Sequence, residues 1–333
     1  MTESTSGAPA PGLPASAPLH APHQEQGRFF NPWRRPSMRR LDLLRWKFAR
    51  NPYDKRSPAR VPAVANDGAY LSDAGAADSL TWVGHSTFAV QDGGEVFLTD
   101  PHWGPRALLP RRHQPPGVPL AAVPGQGFAV LSHNHYDHLD AWTVGQLPPG
   151  LDWYVPLGLG RALRRRRRRA AGELPAVTEL DWWQSVRRGR WTLTCLPAQH
   201  WSNRFGSPRN STLWCSWLLD SGRRRYYFAG DSGYFAGFSE VGRRFAPIDV
   251  AFLPIGAYEP RWFMAYPHMN PAEAWRAFGD LGARWLVPMH WGTFDLTDEP
   301  IDLPPQDLAA AIAAAGGDPA PVRLLAIGER WLL

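Results

Sequence analysis

One short segment of the chain concentrates side chains that bind metal ions. It reads His133-Asn134-His135-Tyr136-Asp137-His138, with three imidazoles and one carboxylate. On an extended backbone alternate side chains face the same way, so His133 and His135 can approach one ion. Asp137 and His138 follow at the start of the next element and can reach a second ion. Zinc and similar ions accept imidazole and carboxylate ligands, and a catalytic zinc site leaves a position open for water. The segment therefore predicts a metal-dependent hydrolase.

Three further donors follow apolar runs elsewhere in the chain. They are His200, Asp231 and His290, and each comes at or just after the end of a predicted strand. Ligands at the ends of successive strands converge on one edge of a sheet, where the active sites of α/β proteins lie. Each residue alone could equally be structural. As a set with the first segment they provide enough donors for two ions that share one carboxylate.

Alternating strands and helices must position these residues. Short apolar runs bounded by Gly, Pro or Asp predict strands at 80–90, 95–99, 127–132, 152–156, 191–196, 212–219, 225–229, 249–254 and 284–288. Helices are predicted at 140–147, 271–279 and 306–315. This alternation predicts an α/β protein.

Composition divides the chain into three parts. Residues 1–27 are rich in Pro, Ala and Ser and predict a disordered tail. Residues 28–79 form a basic, aromatic extension, and residues 80–333 the hydrolase domain. Within the extension, residues 37–50 predict a helix with Ser37 as its N-cap. This basic helix could lie on a membrane surface or pack its apolar side on the domain.

Positive charge is concentrated in two places. Arg161 and the run Arg164–Arg169 form one patch, and the eleven Lys and Arg of residues 28–60 form the other. The net charge of the whole chain is only +6, so the remainder is acidic. Such patches suit an anionic surface, either phospholipid headgroups or nucleic acid, or are solvated charge on a helix face. We expect the arginine run on an outer helix within residues 157–173, because so many arginines cannot be buried unpaired.

Bulk composition excludes several classes of protein. Hydrophobic residues make up 44% of the chain and include 17 Trp, too many for a mostly disordered protein. No stretch approaches the ~18 consecutive apolar residues of a membrane span, and the N-terminus lacks the pattern of a secretory signal. We therefore expect a cytoplasmic protein that meets membranes only peripherally. Cys195 and Cys215 are expected to be free thiols in the core, and the oligomeric state is not predicted.

The motifs resemble those of the metallo-β-lactamase superfamily, whose fold is a four-layered αβ/βα sandwich. The resemblance is closer to the N-acylphosphatidylethanolamine-hydrolysing phospholipase D family and covers roughly residues 80–333. The stretches that carry it are 82–85, 132–140, 179–183, 199–202, 213–217, 228–234, 254–264 and 290–294. Among them, Glu259-Pro260-Arg261-Trp262 points to the phospholipase family rather than to the superfamily as a whole.

The resemblance implies a site with two zinc ions, although iron or manganese also accept these ligands. It implies that one ion is held by His133, His135 and His200, the other by Asp137, His138 and His290, with Asp231 bridging. A metal-bridging hydroxide would attack the phosphodiester of N-acylphosphatidylethanolamine and release N-acylethanolamine and phosphatidic acid.

The resemblance also implies roles beyond metal binding. Besides the ligand Asp137, it makes His268 a catalytic candidate, as a proton donor or a phosphate contact. Pro267 replaces the polar residue expected beside it. Further candidate substrate contacts are His85, Tyr258 and Arg261.

Two other substrates are compatible with the same site. One alternative is a lactonase that acts on a soluble sugar phosphate; the other is a nuclease, for which the chain shows no nucleic-acid motif. A lipid enzyme needs an apolar channel beside the metals and exposed apolar surface near the N-terminal helix. A lactonase needs a small polar pocket instead.

Overall fold

The structure, a computed structural model, describes residues 19–35, 40–53, 55, 60–171 and 176–333. Its strands are β1 Gln24–Glu25, β2 Arg28–Phe29, β3 Ser79–Gly84, β4 Thr87–Asp92, β5 Glu95–Thr99, β6 Gly127–Val130, β7 Leu151–Pro156, β8 Val177–Leu180, β9 Ser185–Arg188, β10 Trp191–Leu196, β11 Ser216–Asp220, β12 Arg225–Phe228, β13 Ile248–Pro254, β14 Ala283–Met289 and β15 Arg330–Leu332. Its helices are α1 Arg40–Phe48, α2 Ala141–Gln146, α3 Gly160–Ala171, α4 Gly237–Phe245, α5 Arg261–Met264, α6 Pro271–Leu281 and α7 Pro304–Ala314.

Two sheets pack face to face, with helices on their outer faces. The first has the order β15-β3-β4-β5-β6-β7-β8 and the second β14-β13-β12-β11-β10-β9. Successive side chains of a strand face opposite sides of its sheet. Phe97 and Phe128 of the first sheet therefore join the core shared with the second sheet, whereas Leu98 and Ala129 join the core that contains residues of α2 and α3. Helices α4, α6 and α7 pack together, and α6 contacts the second sheet. The result is the predicted four-layered sandwich.

Most predicted elements are present, with shifted ends. Helix α2 follows Asp140, whose carboxylate accepts hydrogen bonds from the backbone N–H groups of Trp142 and Thr143. Such an N-cap satisfies N–H groups that have no partner within the helix. Helix α3 contains the arginine run and lies within the predicted range. Helix α1 begins at Arg40, and the proposed cap Ser37 lies outside the described residues.

Seven of the helices and strands given above were not predicted from the sequence, and β11 begins later than predicted. The missed elements are β1, β2, β8, β9, β15, α4 and α5. Strand β9 reads Ser-Val-Arg-Arg, and β8 and β9 each lie at an edge of their sheet. Such short polar segments carry no clear alternating pattern. Their conformation depends on pairing with the neighbouring strand, which the local sequence does not encode.

The prediction of a disordered tail is wrong for residues 19–27. His23 Nε2 lies 2.8 Å from Oδ1 of Asp181, and the His23 ring stacks on Trp182 at 4.3 Å. The indole of Trp183 donates to the carbonyl of Leu19 at 2.9 Å. These contacts attach the segment to the domain through aromatic and ionic groups that a composition argument overlooks. The rest of the predicted tail, residues 1–18, lies outside the described residues.

The extension shares its core with the hydrolase domain. Phe29 is buried in the core between the sheets, and buried Asn31 donates to the carbonyl of His200 at 3.1 Å. Residues 62–64 form backbone hydrogen bonds with Ile327. Among the described residues, no helix has both the length and the apolarity to span a bilayer. Cys195 and Cys215 are buried free thiols, as predicted.

Candidate metal centre

Strand direction explains why the predicted donors come together. Parallel pairing relates β5 to β6, and β12 to β13 and β14. Antiparallel pairs on either side of β4 and of β11 give β3 and β10 the same direction as these strands. Within each sheet, the carboxyl ends of these strands therefore lie at one edge, and the donor clusters described below show that the two edges meet. The residues that follow them are His85 after β3, Asp100 after β5, His133 after β6, His200 after β10, Asp231 after β12 and His290 after β14.

The histidine-rich loop after β6 is held by its surroundings. The backbone N–H of Ser132 donates to Oδ1 of Asp100 at 2.6 Å. Arg204 donates to the carbonyls of Asn134 and Leu139 at 3.0 and 2.8 Å. Gly230 has a φ of +57°, and a Cβ there would lie 2.4 Å from Cβ of Ser132. The turn that carries Asp231 therefore approaches the loop so closely that it requires glycine.

Four donors form a first cluster. They are His133, His135, His200 and Asp231, and one donor atom of each lies within 4.8 Å of the others. Nδ1 of His135 is 2.9 Å from Nε2 of His133 and 3.1 Å from Nε2 of His200. Imidazole nitrogens that approach one another in this way can serve as ligands of one metal ion.

A second cluster adjoins the first. It consists of His85, Asp137, His138 and His290, again with donor atoms within 4.8 Å. Oδ2 of Asp137 lies 3.4 Å from Nε2 of His290 and 3.5 Å from Nε2 of His138. Asp231 contacts both clusters, because its Oδ2 is 3.1 Å from Nε2 of His138 and 3.7 Å from Nε2 of His133.

In three histidines, the ring nitrogen that faces away from the donor clusters contacts another group of the protein. Nδ1 of His138 lies 2.6 Å from Oδ2 of Asp100, and Nδ1 of His200 lies 3.0 Å from the carbonyl oxygen of Pro267. His133 Nδ1 lies 2.9 Å from the hydroxyl of Ser132. Metal-binding histidines characteristically use the second nitrogen in this way, which fixes the ring and its tautomer.

Several buried atoms of the clusters have polar neighbours but form no well-oriented hydrogen bond with the described residues. They include Nε2 of His138, both ring nitrogens of His290 and Oδ1 of Asp231. Buried polar atoms are costly to leave unpaired. Imidazole and carboxylate are also the donor set that zinc, iron and manganese accept, so the residues fit a pair of such ions.

Electrostatics keeps most of the donors in the form that binds metal. Burial and the neighbouring histidines lower the pKa of His133 well below its ordinary value, and burial lowers the pKa of His135 to about 3 and of His200 to about 4. Burial acts against the ionised form of Asp137 and Asp231, but neighbouring histidines outweigh it and hold the pKa of both carboxyls well below the usual range.

Two histidines behave differently without metal. Burial disfavours the charged form of His290, but Asp231 and Asp137 outweigh it and raise its pKa to about 9. The pKa of His138 is raised well above its ordinary value, again against burial, by Asp231, Asp137 and Asp100. A metal ion must displace these protons to bind.

A pocket of about 420 Å³ opens beside the clusters. Its lining residues are Leu43, Trp46, His135, Asp137, Trp201, Asn203, Arg209, Asp231, Ala257, Phe263, Met264, Pro267, His268, Leu296 and Thr297. Two of them, Leu43 and Trp46, belong to α1. Trp46 stacks on Phe263 at 5.2 Å and donates to Oδ1 of Asp298 at 2.9 Å. The N-terminal helix is thus part of the pocket wall.

The remaining predicted site residues divide into two groups. His268 lines the pocket, with Nδ1 3.9 Å from Oδ2 of Asp231. Tyr258, Arg261 and His85 do not line it. The hydroxyl of Tyr258 donates to Asp307, and Arg261 pairs with Glu273 at 2.8 Å. These two side chains are used within the fold, so their positions do not support the predicted substrate contacts.

Sequence reasoning missed the residues that support the ligands. Asp100 is the clearest, because it contacts both His138 and Ser132. A signal was present: Asp100-Pro101 ends a predicted strand, the same setting as three of the predicted donors. The role of Pro267 could not be found from the sequence, because it acts through its backbone carbonyl and every residue has one.

Comparisons with known proteins place the chain in a family. The model of the β-lactamase superfamily domain matches residues 95–291. The chain is 40% identical over 266 residues to N-acyl-phosphatidylethanolamine-hydrolyzing phospholipase D 1 of Caenorhabditis elegans, which covers 75% of this chain and 74% of that protein. The chain belongs to this phospholipase D family of the metallo-β-lactamase superfamily. It is therefore a metal-dependent hydrolase, and the predicted family and fold are confirmed.

Two further similarities agree with this family membership. The mitochondrial N-acyl-phosphatidylethanolamine-hydrolyzing phospholipase D of Saccharomyces cerevisiae is 32% identical over 253 residues, 71% of this chain and 52% of that protein. The solved structure of Igni18, a metallo hydrolase of Ignicoccus hospitalis, superposes with a TM-score of 0.57 at 22% identity, over 78% of this chain and 99% of that chain. The latter similarity supports the fold alone.

Proposed function

We propose that this member of the family is a zinc-dependent phosphodiester hydrolase that converts N-acylphosphatidylethanolamine into N-acylethanolamine and phosphatidic acid. The observation that carries the proposal is an apolar pocket that opens directly on the donor clusters. Its apolar lining includes Leu43, Trp46, Phe263, Met264 and Leu296. An amphiphile with its phosphate at the clusters would place hydrocarbon against these side chains. This pocket suits a lipid better than a soluble sugar phosphate, and the names of the relatives support the same substrate.

The chain's own residues divide the work of the reaction. Two zinc ions held by the clusters would polarise the phosphoryl oxygen and lower the pKa of the attacking water. Attack at phosphorus breaks the bond to the ethanolamine oxygen, which takes up a proton, while the water oxygen stays with phosphatidic acid. Asp231 would fix the position of the two donor clusters relative to each other, since it contacts histidines of both.

His268 would act on the substrate as a neutral hydrogen-bond donor. Only 13% of its side chain is exposed in the pocket wall, and desolvation lowers its pKa well below the ordinary value although Asp231 opposes the shift. Near neutral pH the ring is therefore uncharged and retains one N–H. Such a group can donate to a phosphate oxygen, or to the leaving oxygen as its charge develops.

Exposed residues of α1 that do not line the pocket, together with the neighbouring Trp262, suit a membrane. We define the α1 surface as Leu41, Leu44, Arg45, Lys47, Phe48 and Trp262. Leu41 and Phe48 are 71% and 86% exposed, and the guanidinium of Arg45 lies 4.6 Å from the Trp262 ring centre. Apolar side chains beside cations favour an anionic bilayer surface. Because the same helix lines the pocket, a protein resting on this surface would have its pocket beside the lipid.

A labelled hydrolysis tests the proposal. Zinc-loaded protein is incubated in ¹⁸O-water with vesicles that contain N-acylphosphatidylethanolamine, and both products are identified by mass spectrometry. We expect ¹⁸O in phosphatidic acid and none in N-acylethanolamine. His135→Ala, which removes a donor of the first cluster, serves as the control. Product no higher than in this control would refute the lipid substrate, and hydrolysis of a sugar-phosphate lactone instead would favour the lactonase.

A further inference from the structure

His85 is buried against the other three members of the second cluster and lies outside the substrate pocket. Only 1% of its surface is exposed, and it does not line the cavity. Its Nε2 lies 3.1 Å from Oδ2 of Asp137, a hydrogen-bond distance. The side chain is thus placed to act on a ligand of the proposed metal centre, not on the substrate.

The backbone of His85 is fixed on three sides. Its φ is +55°, in the left-handed region that side chains with a Cβ seldom adopt. Its N–H donates to the hydroxyl of Thr293 at 2.6 Å. Its carbonyl accepts from the indole of Trp82 at 2.9 Å and from the N–H of His290 at 3.2 Å. Surroundings that enforce an unfavoured conformation hold the side chain in one place, a feature common at functional sites.

The ring is held as firmly as the backbone. It lies 4.0 Å from the His290 ring and meets the Phe294 ring edge-on at 5.3 Å, measured between ring centres. Nδ1 is buried and has no hydrogen-bond partner among the described residues. An N–H is costlier to bury unpaired than an unused lone pair, so the proton belongs on Nε2. There Asp137 accepts it.

This arrangement differs from that of the proposed ligands. His133, His138 and His200 each contact a supporting group through one nitrogen and present the other to the donor cluster. His85 has no supporting group, and its inward nitrogen faces a carboxylate. We infer that His85 is a positioning residue whose Nε2–H orients the Asp137 carboxylate for the second metal ion.

This inference rests on the metal centre proposed above and adds a specific role within it. Outer partners of metal ligands typically contribute about 10- to 100-fold to metal affinity. Loss of the His85 donor should therefore weaken the binding of the second ion and leave the affinity of the first cluster for its ion unchanged.

Two amide variants separate the role of Nε2 from the mere presence of a polar side chain. In His85→Gln the amide nitrogen can occupy the position of Nε2, whereas in His85→Asn it reaches only as far as Nδ1. Asparagine tolerates the left-handed backbone better than glutamine. A larger defect in the asparagine variant therefore cannot come from backbone strain. The exposed His113→Asn is the matched control.

Zinc affinity of the purified, metal-free proteins is measured by competition with a chromophoric chelator. We expect His85→Asn to bind the second zinc about 10- to 100-fold more weakly and His85→Gln to recover most of the affinity. The first zinc and the melting temperature of the zinc-loaded protein should match those of His113→Asn. The cobalt-substituted protein should keep its number of nitrogen donors, counted by X-ray absorption, in His85→Gln.

Three results would overturn the inference. Equal second-zinc affinity in wild type and His85→Asn would remove the positioning role. Loss of one nitrogen donor in His85→Gln would make His85 a direct ligand instead. A wild-type protein that binds fewer than two ions would refute the proposed metal centre itself, and the inference with it. The proposed phospholipase activity is tested separately, by the labelled hydrolysis.

Discussion

Oδ1 of Asp231 lies 3.0 Å from Nε2 of His290, while Oδ2 of the same carboxylate lies 3.7 Å from Nε2 of His200. One side chain therefore reaches both donor clusters, although its partners come from separate strand ends. Of the two four-donor clusters, His290 belongs to the second and not to the first. The two residues should thus have different effects on metal content.

Metal stoichiometry distinguishes these two positions. We expect Asp231→Asn to lower the affinity for both zinc ions, because a neutral amide binds zinc more weakly than a carboxylate and cannot bridge two ions. His290→Ala should lower the zinc content from two ions to about one, since the first cluster keeps its donors. Elemental analysis after dialysis against zinc-buffered solution measures both. Full zinc content in Asp231→Asn would contradict the bridging role.

The stability of the metal-free protein should be greatest near pH 6.5. The pKa of His290 is raised from an ordinary 6.5 to about 9, so the folded state binds more protons than the unfolded state between these values. Stability then falls as pH rises through this window. The pKa of His135 is lowered to about 3 and that of His200 to about 4, so here the unfolded state binds the additional protons. Stability therefore also falls as pH decreases below about 6.5.

Melting temperatures of the EDTA-treated protein between pH 4 and 9 test this prediction. We expect a fall of several degrees on each side of the maximum. Zinc should reduce the alkaline fall, because the bound ions keep His290 deprotonated at every pH in the window. His290→Ala should likewise reduce the fall in the metal-free protein. A melting temperature that stays constant from pH 6.5 to 9 would show that His290 is not protonated there.

The seven predicted donors could be brought together from the sequence because the fold positions them simply. His133 follows an apolar strand directly, and Asp231 and His290 do the same in the other sheet. The family resemblance then assigned each donor to one of two ions. The hydrogen-bond partners of these side chains, in contrast, could not be predicted from the sequence.

Contacts between distant segments could not be predicted. The pairing of Asp100 with His138 depends on two adjacent strand ends and on the direction of each side chain. Tyr258 and Arg261 lie in a stretch that resembles the family, yet their polar groups are taken up by Asp307 and Glu273. A family motif can reflect the support of a loop as well as contact with substrate. Sequence alone does not separate these roles.

A neutral His268 predicts a specific ranking of variants. We expect His268→Ala to lower kcat/KM about 10- to 100-fold, since a hydrogen bond to a charged group is worth about 1.5–3 kcal/mol. His268→Gln keeps an N–H donor and should retain much more activity. His268 also lies near Asp231 and His290, but both four-donor clusters keep all their donors in these variants, so zinc content should be unchanged. Steady-state kinetics on vesicles, with zinc analysis of each variant, would check this. Equal losses in both variants would argue instead for an imidazolium acid.

If the α1 surface binds membranes, substitutions there should lower activity on vesicles but not on a soluble substrate. Leu44 and Phe48 are 52% and 86% exposed, so replacing both by serine should leave folding intact. Burial of one such side chain in a bilayer contributes about 1.5–3 kcal/mol. We therefore expect Leu44→Ser/Phe48→Ser to lower vesicle binding and activity at least about 10-fold, with no change on a short-chain soluble phosphodiester.

A matched substitution and a salt series complete this test. Leu109 is 76% exposed but lies outside the α1 surface, so Leu109→Ser controls for loss of any exposed leucine. Vesicle sedimentation measures binding, and a fluorogenic diester measures the chemistry. Because Arg45 and Lys47 flank the apolar side chains, binding to anionic vesicles should also weaken as ionic strength rises. An equal loss on both substrates would place the effect of α1 in the pocket wall, through Leu43 and Trp46, and not at the membrane.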